Sequence, residues 1–227
     1  LAFLQKETEG NTFFLVELLR TLAEEMGGLN QITSAAMPAA VFPGGVQQII
    51  QRRLERIPQT DRPLLQLTAV AGRQLDLPLL AHLAPEMDIE MWLTSGVHAA
   101  VLARSEDGNG WQFGHDKLRE ALLQQMSHQE RQKLHAQIGQ GIETVYADQL
   151  SGQYGRLAHH FAAANQTDQQ RHYLHLAASE ASSIYANELA QSYYQQLLPL
   201  EPTAAANAKL YLQIAQIGRR TGEWEEA

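Results

Sequence analysis

The residues with the clearest chemical potential lie in "WQFGHDKLRE", residues 111–120. His115 and Asp116 follow a short aromatic segment and precede a charged helix start. A histidine at a helix N-terminus stands where backbone N–H groups and the helix dipole favour an anion. Asp116 can cap the helix that starts with Lys117. The same pair also suits a purely structural strand-to-helix junction, and the local pattern leaves both uses open.

Other reactive constellations are incomplete. Nine histidines invite a metal reading, with His159-His160 and His172/His175 in one helical region. No H-E-x-x-H is present, and acidic partners at ligand spacing are lacking, so these histidines are expected to be structural or exposed and no metal ligand is assigned. There is no G-x-S-x-G elbow. There is no cysteine, which removes thiol nucleophiles, disulfides and Cys-based zinc sites and fits a reducing, cytoplasmic setting. No G-x-x-x-x-G-K-[ST] occurs: Gly44-Gly45 and "AVAGRQ" lack the lysine and the spacing. No Asp-rich strand end is present to hold magnesium. The expectation is no catalytic residue and no tight binding of ATP by these 227 residues.

Charge narrows the partners. The formal net charge is −8, and the only dense basic cluster is "QRRLER", residues 51–56. A nucleic-acid surface needs clustered Lys and Arg. The longest apolar runs are too short to span a membrane.

The elements that must position His115 can be read from periodicity. "FFLVELLRTLAEEM", residues 13–26, has an apolar stripe at helical spacing, with Gly10-Asn11-Thr12 before it and Gly27-Gly28 after it. A loop or linker follows to residue 44. "VQQIIQRRLERI", 46–57, predicts an amphipathic helix stopped by Pro58. "RPLLQLTAVAG", 62–72, is apolar all round and predicts a buried helix capped by Gly72. "LPLLAHLA" predicts a short helix with Pro78 in its first turn. "DIEMWLTSGVHAAVL", 88–102, predicts another, opened by Asp88. Asp107-Gly108-Asn109-Gly110 then marks a hairpin turn near residues 101–114, the only convincing β signal.

From 116 onward the pattern is helical, with breaks near Ser127-His128, Ser151-Gly152, Asn165-Gln166-Thr167, Ala186-Asn187, Pro199–Pro202 and Thr221-Gly222. Paired helices without strands suggest a superhelical array. "ANELAQSYYQQLLPLEP" and "KLYLQIAQIGRRTGEWEEA" place small Ala190 and Ala215 beside aromatics, and resemble tetratricopeptide repeats at an irregular period. Most of Tyr173, Tyr185, Tyr193, Tyr194 and Tyr211 are expected to be packing residues. The start at "LAFLQKETEGN" and the end at "TGEWEEA" read as cuts through a larger protein. An apolar face around Ile214 and Ile217 is then expected to be exposed and to allow self-association.

The fold class expected is all-α: a winged helix-turn-helix with one β-hairpin, followed by a tetratricopeptide-like superhelix. Three blocks in one order, "EGNTFFLVELL", "FPGGVQQIIQRRLERIP…LLQLTAVAGRQLDLPLLAHL" and "FGHDKLREALLQQM", resemble the C-terminal half of the ATPase unit in STAND-type signalling proteins. These are multidomain bacterial regulators that join an AAA-related ATPase to a winged helix and helical repeats, some with a cyclase or kinase output. The resemblance implies a lid-helix remnant and linker at 1–42, a winged helix at 43–126 and truncated repeats at 127–227. Gly10, Asn11, Phe13 and Phe14 match the family's lid block beside adenine, with Thr12 where the family has proline. His115, Asp116, Arg119 and Glu120 match the family's counterpart of the Met-His-Asp motif, with Gly114 in place of a basic or polar residue. The resemblance implies that Gly10, Asn11, His115 and Asp116 face ADP in the intact parent, where ATP or ADP with Mg would bind. There the His reaches the β-phosphate and holds the closed, inactive state.

The function implied is a regulatory and interaction module, with a nucleotide-dependent winged-helix switch and repeats that sense a ligand or protein on their concave face. Its first partner would be the upstream ATPase domain. The alternative is a DNA-binding winged-helix regulator. "DIEMWLTSGVHAAVL" carries two acids and no Lys or Arg, and "RSEDGNG" two acids against one base, which disfavours DNA readout.

Overall fold

The computed structural model describes residues 45–105 and 107–221. The helix expected at 13–26, with Gly10 and Asn11, lies outside the described residues, as do Gly222 and Trp224. In chain order the elements are α1 (Gly45–Glu55), α2 (Arg62–Ala71), α3 (Leu77–Leu83), α4 (Ile89–His98), β1 (Leu102–Arg104), β2 (Trp111–Phe113), α5 (Asp116–Gln125), α6 (His128–Val145), α7 (Tyr154–Ala163), α8 (Thr167–Ser183), α9 (Asn187–Leu197) and α10 (Ala204–Thr221). Short 3₁₀ turns follow α6 and α9. Among the described residues the protein is thus ten α-helices and one two-stranded antiparallel hairpin. No described helix is long and apolar enough to cross a membrane.

The chain divides into two compact units. Of the described residues, one unit holds 45–75 and Met87–Gln125, and the other holds Asp76–Glu86 and 126–221.

In the first unit, α1 buries Ile49, Ile50 and Leu54. It ends at Glu55 rather than at Ile57, because Arg56 and Ile57 tighten into i→i−3 bonds before Pro58. Helix α2 is buried almost all round, from Leu64 to Val70, as its composition requires. Pro63 sits in its first turn, where the missing N–H costs nothing, and the Gly72 N–H closes its end on the Thr68 carbonyl. Asp88 opens α4 by accepting from the Met91 N–H.

Helix α4 stops at His98, four residues before the expected end. Ala100 adopts φ +54°, its N–H bonds to Val97 and the Val101 N–H bonds back to Gly96. This is a Schellman ending built on alanine. It frees Val101 and Leu102, both fully buried, to start the hairpin. Gly96 is needed there, since a Cβ on it would stand 2.5 Å from the Leu102 side chain.

The hairpin pairs Leu102 with Phe113, Ala103 with Gln112 and Arg104 with Trp111. Ser105 organises its tip: its Oγ accepts from the Gly110 N–H, its carbonyl from the Gly108 N–H, and Gly108 takes φ +74°. On the other edge of β2, residues 73–75 run alongside. The Phe113 N–H donates to the Arg73 carbonyl and the Leu75 N–H to the Trp111 carbonyl. Helix α5 packs on α1 and α2 through Leu118 and Leu122.

In the second unit, α6 through α10 each pack on the next. Helix α6 opens with a full capping box between Ser127 and Glu130. Gly139 lets the Phe161 ring approach where a Cβ would stand 2.9 Å away, and Phe161 stacks on Tyr173 at 5.6 Å. Helices α7 and α8 end as α4 does, with Asn165 and Tyr185 at φ +59°. Ala190 is fully buried where α9 meets its neighbours. Tyr173 and Tyr194 are buried, Tyr193 is half-buried, and Tyr185 and Tyr211 are exposed.

The face expected to be exposed on α10 is turned inward. Ile217 is buried and Ile214 half-buried, while Tyr211 and Leu212 face out. Leu210, Ile214 and Ile217 recur at helical spacing, so they form the face that α10 lays on α9.

Candidate functional site

His115 sits between β2 and α5, held on one side by the hairpin and on the other by the helix. The Gly114 N–H donates to the Val101 carbonyl and the Leu118 N–H to the His115 carbonyl, which ties the turn to both elements. The imidazole is half-buried, and its Nδ1 accepts the Lys117 N–H at 3.1 Å. His115 therefore does the capping work that the sequence assigned to Asp116. With Nδ1 an acceptor, the neutral ring carries its proton on Nε2 and is a donor there. Burial holds the His115 pKa below its usual value, with Asp116 pulling up and Arg73 pushing down.

Asp116 caps nothing. Its carboxylate takes the Arg73 guanidinium at 3.3 Å, with both side chains half-exposed. The reason is geometric: Asp116 is already the first helical residue, so the residue before it occupies the cap position. Lys117 pairs with Glu120 at 2.8 Å. Arg119 is turned inward, donating from Nε to the Ala69 carbonyl of α2 at 2.7 Å, a bond that positions α5. The junction thus gathers Arg73, His115, Asp116 and Lys117 in the first unit. Arg73 was not legible as a member, since 43 residues separate it from Asp116. Gly10 and Asn11 fall outside the described residues, so their place relative to His115 is not described.

The second unit brings together histidines that the sequence left apart. His135 of α6 and His160 of α7 face each other with Nδ1 to Nδ1 at 2.9 Å. The His159 ring stands edge-on to both, with centroids 5.7 and 5.3 Å away. His160 is 2% exposed, and burial, then His135, His159 and Arg156, push its pKa down to about 3. No group of three His, Asp or Glu among the described residues could hold a metal ion. His172 and His175 do not act together: His172 lies edge-on to Tyr173, while His175 Nε2 meets Glu201 at 2.5 Å. His135 was missed because it lies on the preceding helix, 25 residues from His160.

A third feature is a cavity of about 250 Å³ between α8 and α10. Ser179, Ser182, Ser183, Gln213 and Gln216 supply hydroxyl and carboxamide groups, and Ile217 an apolar wall. Such a lining offers neutral donors and acceptors and no charge.

Comparison with protein-family models, with curated proteins and with solved structures finds no match to this chain.

Proposed function

We propose that the protein is the regulatory and interaction part of a multidomain signalling ATPase of the STAND type. In this reading residues 43–126 form a winged-helix switch, and 127–227 form a tetratricopeptide-like sensor. Helices α1, α2 and α4, a hairpin with residues 73–75 along its second edge, and the following α5 support the winged-helix assignment, while α3 packs within the second unit. The consecutive packing of α6 to α10 supports the repeat assignment.

The observation that carries the proposal is His115 at the hairpin–helix junction. A neutral imidazole with its proton on Nε2 is suited to donate to a phosphate oxygen brought by an upstream ATPase domain. The N-terminus of α5 and the nearby Arg73 add favourable potential. ADP so held would favour a closed state, and its loss would shift the population toward an open one. The intact parent would bind ATP or ADP with Mg through Gly10, Asn11, His115 and Asp116. The residues of this chain would not catalyse hydrolysis themselves. The neutral hydroxyl and carboxamide lining of the cavity between α8 and α10 supports the reading of the repeats as a sensor for a polar ligand.

The test is ADP affinity of the longer protein carrying a phosphate loop, with and without His115→Ala. A weakening by about 1–3 kcal/mol, the scale of one charge-assisted hydrogen bond, is expected. Unchanged affinity would leave His115 a structural cap and overturn the assignment. A gel shift at low salt separates the DNA-binding alternative. The exposed Met91 and Val97 of α4, with no Lys or Arg on that helix, predict no shift.

A further inference from the structure

We infer that Asn109, at the tip of the hairpin, is a site of spontaneous conversion to aspartate and isoaspartate, and that Ser105 sets its pace. The inference concerns the first unit alone and is independent of the nucleotide reading.

The chemistry needs an asparagine followed by an unhindered backbone N–H. The nitrogen of the next residue loses its proton and attacks the carbonyl carbon of the asparagine side chain. A C–N bond forms, the carboxamide nitrogen leaves as ammonia, and a cyclic imide remains. Water then opens the ring at either carbonyl. One opening gives aspartate; the other gives isoaspartate, whose backbone runs through the former side chain. Water is the only co-reactant. A Cβ on the attacking residue crowds the ring, so glycine, which has none, is the most permissive follower. Among the asparagines of the chain only Asn109 precedes glycine. It is exposed on the tip, as are Asp107 and Gly108, whereas Asn187 and Asn207 are half-buried in α9 and α10.

The fold slows this reaction without removing it. The Gly110 N–H, the group that must lose its proton, donates to Ser105 Oγ at 2.8 Å. The Ser105 hydroxyl donates in turn to Asp107 Oδ1, which also accepts the Asn109 N–H at 3.1 Å. A second bond, from the Ser105 N–H to the Gly110 carbonyl at 3.0 Å, fixes the same peptide. The attacking nitrogen thus heads a hydrogen-bonded chain that ends on a carboxylate. That carboxylate is too weak a base to draw the proton through, because the Ser105 hydroxyl and then the Asn109 N–H hold the Asp107 pKa below the usual range. Ser105 therefore restrains the nitrogen, which reaches the Asn109 side chain only when the bond to Oγ opens. The preceding Asp107-Gly108 pair does not compete. Its carboxylate is ionised and a poor target for attack, and the Gly108 N–H is committed to the Ser105 carbonyl at 2.9 Å.

Conversion places a second carboxylate beside Asp107, and the isoaspartate form adds a methylene to the backbone before Gly110. Both act against the bonds between Ser105 and Gly110. The tip loosens, while the buried pair Leu102 and Phe113 holds the strands at their far end.

Peptide mapping by mass spectrometry of the 227-residue chain, incubated at mildly alkaline pH with enzymatic methyl labelling of isoaspartate, tests this. Asn109 should convert ahead of every other asparagine and yield both products. Ser105→Ala should speed the conversion about fivefold, the factor carried by one neutral hydrogen bond. Ser105→Thr keeps the hydroxyl and should convert at the pace of the unaltered chain. Should Ser105→Ala fail to fold, the unaltered chain in urea decides: Asn109 should convert faster there than in the folded protein. An Asn109 that stays intact while other asparagines convert, a folded Ser105→Ala variant at the unaltered pace, or an equal pace with and without urea each overturns the inference.

Discussion

At the scale of single residues, His115 combines two demands on one imidazole. Nδ1 satisfies an orphan N–H of α5, and the ring must be neutral to do so. His115→Ala should therefore cost the protein about 1 kcal/mol of stability, the usual value of a lost N-cap, whereas His115→Asn should recover most of it. Chemical denaturation of the three proteins checks this. The sign with pH follows from the depressed pKa: the unfolded chain binds the proton more readily, so the His115 contribution is whole above about pH 6.5 and is lost as pH falls through the lower folded value. Ala100 is the converse case, a residue whose backbone asks for glycine. At φ +54° its Cβ is strained, so Ala100→Gly should raise stability by about 0.5–1 kcal/mol, read as a higher denaturation midpoint with unchanged slope.

At the scale of elements, α3 belongs with the second unit because of one carboxylate. Asp76 caps α3 through the Leu79 N–H, accepts the Tyr146 hydroxyl at 2.6 Å and meets Arg156 at 3.0 Å. It is thus the common ligand of α3, the end of α6 and the start of α7. Glycine completes the seam: Gly141 of α6 admits Leu79 and Leu83, where a Cβ would stand 2.8 Å from the Leu79 side chain. Asp76→Ala removes the cap and strands a half-buried guanidinium and phenol, and should destabilise the second unit by about 2–4 kcal/mol. Asp76→Asn keeps the cap and a hydrogen-bond acceptor and should cost clearly less. Thermal unfolding followed by the exchange of α3 amides checks both the size and the place of the effect.

At the scale of the whole molecule, two properties can be anticipated. Stability should fall as pH drops from 7 to 4, because His160 stays neutral in the folded state down to about 3 while the unfolded histidine protonates from 6.5. At about 1.4 kcal/mol per pH unit, the His160 share is about 3 kcal/mol at pH 4. Urea titrations across this range should show that loss, reduced in His160→Leu. The second property is chemical. The chain carries no phosphate loop, so purified protein should not turn over ATP. Hydrolysis that persists through repurification would sink the proposed role.

Among the described residues, the sequence by itself determined which segments are helices and where the hairpin turns. Apolar period, Pro at helix starts, Gly72 and the Asp-Gly-Asn-Gly tip act within a few residues of where they lie. Boundaries moved where a longer-range contact decided them. Helix α4 ends at His98 because Val101 and Leu102 are worth more buried in the hairpin, even with Ala100 in a left-handed conformation. Only the tertiary structure gave Asp116 to Arg73, set His135 against His160, turned Ile217 inward and joined α3 to α6 and α7. Each of these depends on partners 25 to 80 residues away or on which face a helix turns to its neighbour. Local pattern carries no record of such pairings, because they are selected by the geometry of packing and by the cost of leaving a buried polar group unmatched.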